Sequence, residues 1–242
     1  QPSAFKVTRS PRSYNSQIGV PLSVWLLNEQ SRVALFEAGI SEPGEMLALH
    51  DIIQPTIGVL TSLGAAHQEN FRTMEEKCME KLQLFRNAKV IAYNSDDDPV
   101  SRCIRRSGYR GEKIGWSREN ISAPLYIERV GEAVDTQVAY IYKGTRGKYT
   151  LPFFDAASLE CSFACAAVAL YLGLTPQQLA ERMALLEPVA MRLEVKEGQH
   201  GCQLINDSYN SDINSLDIAL DFMARRQSPN TAAQHPSPNT LI

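Results

Sequence analysis

The chain has 242 residues, 44% of them hydrophobic, and a formal net charge of −3. That length buries a substantial core as one large domain or one and a half, and the mild acidity carries no nucleic-acid or acidic-membrane signature. Five cysteines (78, 103, 161, 165 and 202) form no C-x-x-C pair, no run approaches a membrane span, and the first residues lack the form of a signal peptide, so reduced thiols in a cytosolic protein are expected.

In chain order, residues 5–8 read as a short strand, followed by the polar loop S-Y-N-S-Q-I-G-V-P at 13–21 and a helix over 22–28. Two apolar runs, 33–36 and 56–63, read as parallel strands of one sheet covered on both faces. Between them Pro43 and Gly44 open a helix over 45–53. Each apolar run is followed by a polar residue, Glu37 after the first and His67 after the second. Ligands in open α/β sheets collect outside the carboxyl ends of the strands, so a carboxylate and an imidazole there suit one polar centre. Thr73 and Glu76 then form a T-x-x-E capping box for a helix from Met74. On a wheel of ~100° per residue, Lys81 falls ~20°, ~60° and ~40° from Met74, Cys78 and Phe85, which turns it toward the core, while Lys77 and Glu80 have more open flanks. A buried lysine has a lowered pKa, and its neutral amine can take up CO2 to become a carbamate, an anionic oxygen ligand suited to Mg2+. The alternative is a lysine that snorkels past the apolar stripe.

Residues 89–93 form another apolar strand, and the acidic turn after it caps a helix over 99–107 that stops at Gly108. From 125 to 154 the period changes to two, predicting an antiparallel flap with a hairpin loop at 143–147. The run G-T-R-G-K at 144–148 is not a phosphate loop, because the spacing of its glycines is wrong and Tyr149 follows the lysine. A small-residue helix over 158–172 and a helix over 177–186 follow. Glu187-Pro188 marks a domain boundary, with 1–187 before it and 188–242 after it. Beyond it are predicted strands over 192–195 and 203–205, a helix over 213–225, and a Pro- and Asn-rich linker or long loop over 227–239. The chain opens without a methionine and stops at Thr240-Leu241-Ile242, which reads as the start of a strand, so both ends are expected to be cuts.

The run EAGISEPGE, then PTIGVLTSLGAAHQENF with Lys81 beyond it, resembles the central domain of the Mur ligases, the ATP-dependent amino-acid-adding enzymes of peptidoglycan synthesis. MRLEV and LINDSYNSDINSLDIAL resemble the start of their C-terminal domain, and the N-D-S-Y-N form is closest to members that join D-alanyl-D-alanine to UDP-N-acetylmuramoyl-tripeptide. The resemblance implies an α/β fold with a largely parallel sheet flanked by helices, an antiparallel flap, and the beginning of a Rossmann-like C-terminal domain. It implies two Mg2+ ions, one held by Glu37 and a second by His67 with carbamylated Lys81, and ATP as co-substrate. Arg192 would reach the ATP phosphates, with Asp207 and Asn210 near the nucleotide. Asn15, Gln17 and Tyr209 would lie near the uridine-linked substrate, although a Gly/Pro turn capping a helix explains Asn15 and Gln17 as well, and an ordinary helix cap explains Asp207. The family's H-N-x-x-N adenine motif is replaced here by Ala157, Ser158 and Cys161. No G-x-x-x-x-G-K-[ST] loop occurs; in the family it lies just upstream of the matching region, so this chain alone is expected to be inactive. Folylpolyglutamate synthases share the metal constellation, though usually with D-G-A-H-N where this chain has D-S-Y-N. A non-catalytic scaffold is the third reading. A cytoplasmic monomer without nucleic-acid or membrane partners is expected.

Overall fold

The computed structural model describes residues 6–64, 67–131, 136–153, 155–187, 193–208, 213–226 and 240–241. Six strands, β3 (Ile57–Leu60), β4 (Val90–Asn94), β5 (Glu112–Ser117), β6 (Leu125–Val130), β7 (Thr136–Tyr142) and β8 (Thr145–Leu151), form one sheet in sequence order. The pairings β3–β4, β4–β5 and β5–β6 are parallel, whereas β6–β7 and β7–β8 are antiparallel. Two smaller sheets stand apart from it. The first pairs β1 (Val7–Arg9) with β2 (Val33–Leu35) in parallel. The second has the order β11-β10-β9, from β9 (Glu194–Glu197), β10 (Gln203–Asn206) and β11 (Thr240–Leu241).

Around β4 the main sheet is apolar on both faces because it is covered on both. In β4, Val90 and Ala92 belong to a core with Phe163, Ala167 and Leu170 of helix α5 (Ala156–Tyr171) and with Leu179 and Met183 of helix α6 (Pro176–Met183). Ile91, between them, belongs to a second core with residues of helices α2 (Glu45–Ile53), α3 (Met74–Gln83) and α4 (Asp98–Arg106), and with Val20 of helix α1 (Gly19–Val24). This is the period-two alternation of a strand buried on both sides. Helix α7 (Ile213–Arg226) follows β10 and buries Ala219 and Phe222.

Side-chain caps fix where the helices begin. The hydroxyl of Thr73 accepts the amide of Glu76 at 3.0 Å, as the T-x-x-E signature predicts. The Glu76 carboxylate, however, accepts the amide of Arg72 at 2.7 Å, one residue earlier than a reciprocal box requires. The reciprocal arrangement is found at Thr175 and Gln178 instead. Asp97 and Asp155 cap α4 and α5.

Four expectations need correction. β2 is not buried on both faces: Ala34 is exposed and Leu35 is 61% exposed. It pairs with β1 and is not hydrogen-bonded into the sheet of β3 and β4. The hairpin loop is not 143–147 but the two residues Lys143 and Gly144, both at positive φ (47° and 84°). Such a turn matches the sheet's twist, so Thr145–Gly147 pair with Tyr140–Tyr142. The flap is not a separate layer, because β6 continues the parallel sheet through β5. β5 itself was not foreseen: its apolar signal is only Ile114 and Trp116, both buried. The 227–239 segment and most of the proposed domain boundary lie outside the described residues.

Helix α3 is followed by Phe85, whose ring lies against Gly58 of β3. A Cβ on Gly58 would meet the ring's Cδ1 at 2.6 Å. Gly58→Ala should therefore destabilise the fold by about 1–3 kcal/mol in urea titrations, the usual range for overpacking. Adding Phe85→Leu should recover part of that loss.

Candidate functional site

The loops that follow β1, β2 and β3 are hydrogen-bonded to one another, although β3 belongs to a different sheet. Gly39 N donates to the carbonyl of Asn15 at 2.8 Å, joining the loops after β1 and β2. The side-chain amide of Asn70 donates to the carbonyl of Ser41 at 2.9 Å, joining the loops after β2 and β3. The Glu80 carboxylate of α3 accepts from the backbone amides of Gly44 (2.8 Å) and Met46 (3.2 Å), at the start of α2. Those amides have no intrahelical partner, so a carboxylate there satisfies them and complements the helix dipole. Helix α3 is thereby tied to the same loop cluster.

Within this cluster Asn15 and Glu37 meet directly: Asn15 Nδ2 donates to Glu37 Oε1 at 3.0 Å. Glu37 is exposed, as is His67. His67 has φ 58° and ψ 22°, left-handed backbone that a non-glycine residue rarely adopts, and it starts the short 3-10 turn Gln68–Asn70. Three buried polar atoms in these loops, Ser10 Oγ, Gln17 Nε2 and Gln68 Oε1, have no hydrogen-bond partner among the described residues. Buried polar atoms are normally paired, so orphans of this kind are open to a ligand or further polar chain. Among the described residues no three or more His, Cys, Asp or Glu side chains form a metal-binding group.

Lys81 is half-buried on α3. Burial lowers its pKa from the ordinary 10.5, and the Lys77 ammonium lowers it further, against an upward pull from Cys78. Lys77 corrects the sequence reading: far from having an open flank, it is only 2% exposed. Its Nζ donates to the carbonyl of Gly64 at 2.8 Å. Burial lowers its pKa as well, partly offset by the Glu69 carboxylate. The wheel held the clue, since Lys77 lies ~40° from Lys81, on the same side of the helix.

The remaining candidates divide. Asp207 Oδ1 accepts the backbone amide of Leu193 at 3.1 Å, bracing the chain next to Arg192. Arg192, Tyr209 and Asn210 lie outside the described residues. Ala157 and Cys161 are exposed on α5, and the amide of Ser158 donates to the capping Asp155 at 2.8 Å. Sequence reasoning passed over Glu160, one residue from Cys161. Its carboxylate accepts from Asn94 Nδ2 and Trp116 Nε1, both at 3.2 Å, beside the ends of β4 and β5.

Because their pKa values are lowered on folding, both lysines bind protons less tightly in the folded protein than in the unfolded chain. Each ammonium therefore costs stability at low pH, and the cost fades as pH rises through the lowered pKa toward 10.5. In CO2-free buffer, the unfolding free energy of Lys81→Met relative to wild type should be most favourable well below that window. The advantage should shrink as pH approaches 10.5, as measured by urea titration across the range.

Comparison with known proteins agrees with this architecture. Residues 3–169 match the family model of the Mur ligase middle domain. UDP-N-acetylmuramoyl-tripeptide–D-alanyl-D-alanine ligase of Bacillus subtilis is 23% identical over 224 residues, covering 90% of this chain and 47% of that protein. The protein of the same name from Synechocystis is 27% identical over 222 residues, covering 90% and 46%. Among solved structures, MurF from Acinetobacter baumannii superposes with a TM-score of 0.81 at 18% identity, covering 92% of this chain and 49% of that one. MurF ligase from Thermotoga maritima in complex with ADP gives 0.77 at 22% identity, covering 92% and 51%. The chain thus spans about half the length of the curated relatives it matches. A family match across more than half of its residues, on a sheet of the same fold, makes this chain a member of the Mur ligase family that carries its middle domain.

Proposed function

We propose that the chain is most of the middle domain, and the start of the C-terminal domain, of an ATP-dependent ligase that joins D-alanyl-D-alanine to UDP-N-acetylmuramoyl-tripeptide, with the boundary near residue 187. The observation that carries this reading is the name shared by the relatives cited above, which match across 90% of the chain. The activity is proposed for a protein of the relatives' full length. These 242 residues contain no G-x-x-x-x-G-K-[ST] loop, so this chain alone is expected to bind ATP poorly and to ligate nothing. A cytoplasmic monomer is proposed; among the described residues no helix is long and apolar enough to cross a membrane.

The residues fit the metal that this chemistry uses. Glu37 supplies a carboxylate and His67 an imidazole, on loops joined by the Asn70–Ser41 contact. Lys81 as an ammonium would repel a cation; burial and the Lys77 charge lower its pKa and so ease loss of that proton to leave the amine. That amine adds to CO2 and releases a proton, leaving an anionic carbamate. Glu37 would then hold one Mg2+, and His67 with carbamylated Lys81 a second, spreading the charge that develops on a transferring phosphoryl group. Asn15 would hold the Glu37 carboxylate in place through the bond it already makes. Gln17, with its unpartnered amide nitrogen, would donate to the uridine-linked substrate. Arg192 would bring positive charge to the ATP phosphates, and Asn210 and Tyr209 would line the nucleotide and substrate sides. Asp207, engaged through one oxygen with Leu193, would offer the other to the ribose. The substrate carboxylate would be phosphorylated first, and the dipeptide amine would then displace phosphate from the acyl phosphate.

The full-length protein should release ADP and phosphate only when UDP-N-acetylmuramoyl-tripeptide and D-alanyl-D-alanine are both present. Activity with glutamate and a reduced folate would favour the folylpolyglutamate synthase reading, whose Lactobacillus casei representative has a TM-score of 0.58 here. Activity with neither would favour a scaffold. Within the ligase, Lys81→Ala should lower kcat at least about ten-fold, and Lys81→Arg should not restore it, because arginine forms no carbamate ligand. Bicarbonate should raise the activity of wild type but of neither variant. Lys148→Ala, on the exposed face of β8, serves as the control.

A further inference from the structure

We propose that Lys77 is a positioning residue for His67, fastening the turn on which that imidazole sits to helix α3. Three observations on the chain support this. The Lys77 ammonium donates to the carbonyl of Gly64, three residues before His67, at 2.8 Å. The charge of the Glu69 carboxylate, two residues after His67, also favours the Lys77 ammonium. Finally, His67, which lies between Gly64 and Glu69 in the chain, has left-handed backbone.

A non-glycine residue in that conformation is strained, and it persists only where the surroundings over-determine it. The turn's own hydrogen bonds are modest: Asn70 N to the His67 carbonyl at 3.3 Å and Phe71 N to the Gln68 carbonyl at 3.0 Å. His67 itself is exposed. A charge-assisted bond from a side chain with 2% exposure is a stronger restraint than either, because breaking it would leave a desolvated ammonium without that acceptor. Lys77 and Lys81 lie one turn apart on α3, so the same helix that presents Lys81 also sets where His67 stands.

What the turn is for rests on the ligase reading above; the anchoring does not. The test therefore has two independent arms. In this chain, Lys77→Met keeps the apolar stem and removes the donor. Amide hydrogen exchange at Asn70 and Phe71 should quicken about ten-fold, while β4 and β5 remain protected. Lys77→Arg, which retains a charged donor, should restore part of that protection. Unchanged exchange at the turn, or equal acceleration throughout the sheet, would overturn the proposal and leave Lys77 a general stability residue. In the full-length protein, Lys77→Met should lower kcat about ten-fold while KM for ATP stays within about two-fold. A ten-fold rise in KM with kcat intact would also count against positioning. A full-length protein with no ligase activity, together with the expected exchange pattern, would overturn the ligase reading and leave the anchoring in place.

Discussion

Strand β4 has to be apolar in both directions, and much of the main domain follows from that requirement. Val90 and Ala92 face α5 and α6, whereas Ile91 faces the layer of α2, α3 and α4. With helices on both faces there is little room for polar side chains along the strand, so they gather where it ends. Asn94 meets Glu160 there, and the Asp96 carboxylate takes up the hydroxyl of Ser117 and the amide of Arg118. The same reasoning places His67 and its neighbours in the loop after β3. Concentrating chemistry outside the carboxyl ends of parallel strands is thus a packing consequence before it is a functional one.

Helix α3 connects that packing to the loop cluster. Cys78 and Leu82 bury against the sheet, Glu80 caps α2, and Lys77 reaches the loop after β3. A helix packed in this way carries its lysines into partly desolvated surroundings whether or not the chemistry needs them there. Desolvation disfavours the ammonium form, and two such lysines one turn apart reinforce the effect on Lys81. The neutral amine proposed to take up CO2 is therefore favoured by burial and by a neighbouring charge, both of which follow from the helix's place in the core.

The loop cluster is held mainly by polar contacts between segments far apart in the chain: Asn15 with Gly39 and Glu37, Asn70 with Ser41, Glu80 with Gly44. Such contacts contribute little individually, but they fix relative position because each is directional. They also reconcile an expected arrangement with an unexpected one. Strands β2 and β3 were expected in one sheet and lie in two, yet the loops following them are joined. The link between those loops is carried by side chains and loop backbone rather than by the strand ladder.

Much of this protein was legible in its sequence. Apolar runs predicted β3 and β4, and Pro43-Gly44 predicted the start of α2. Thr73 marked the start of α3, and period-two alternation predicted the antiparallel strands. These signals are local: a cap, a turn or a hydrophobic period acts within a few residues, so it survives in the order of residues alone. The motifs around Glu37, His67 and Lys81 carried the family in the same way. Which neighbours each element has was decided only by the tertiary structure. That β2 pairs with β1 and leaves Leu35 exposed, that β5 extends the sheet, and that Lys77 is less exposed than Lys81 all depend on what packs across from them. A helical wheel ranks positions around one axis, but burial is set by the partner surface, here the loop after β3 whose carbonyl meets the Lys77 ammonium.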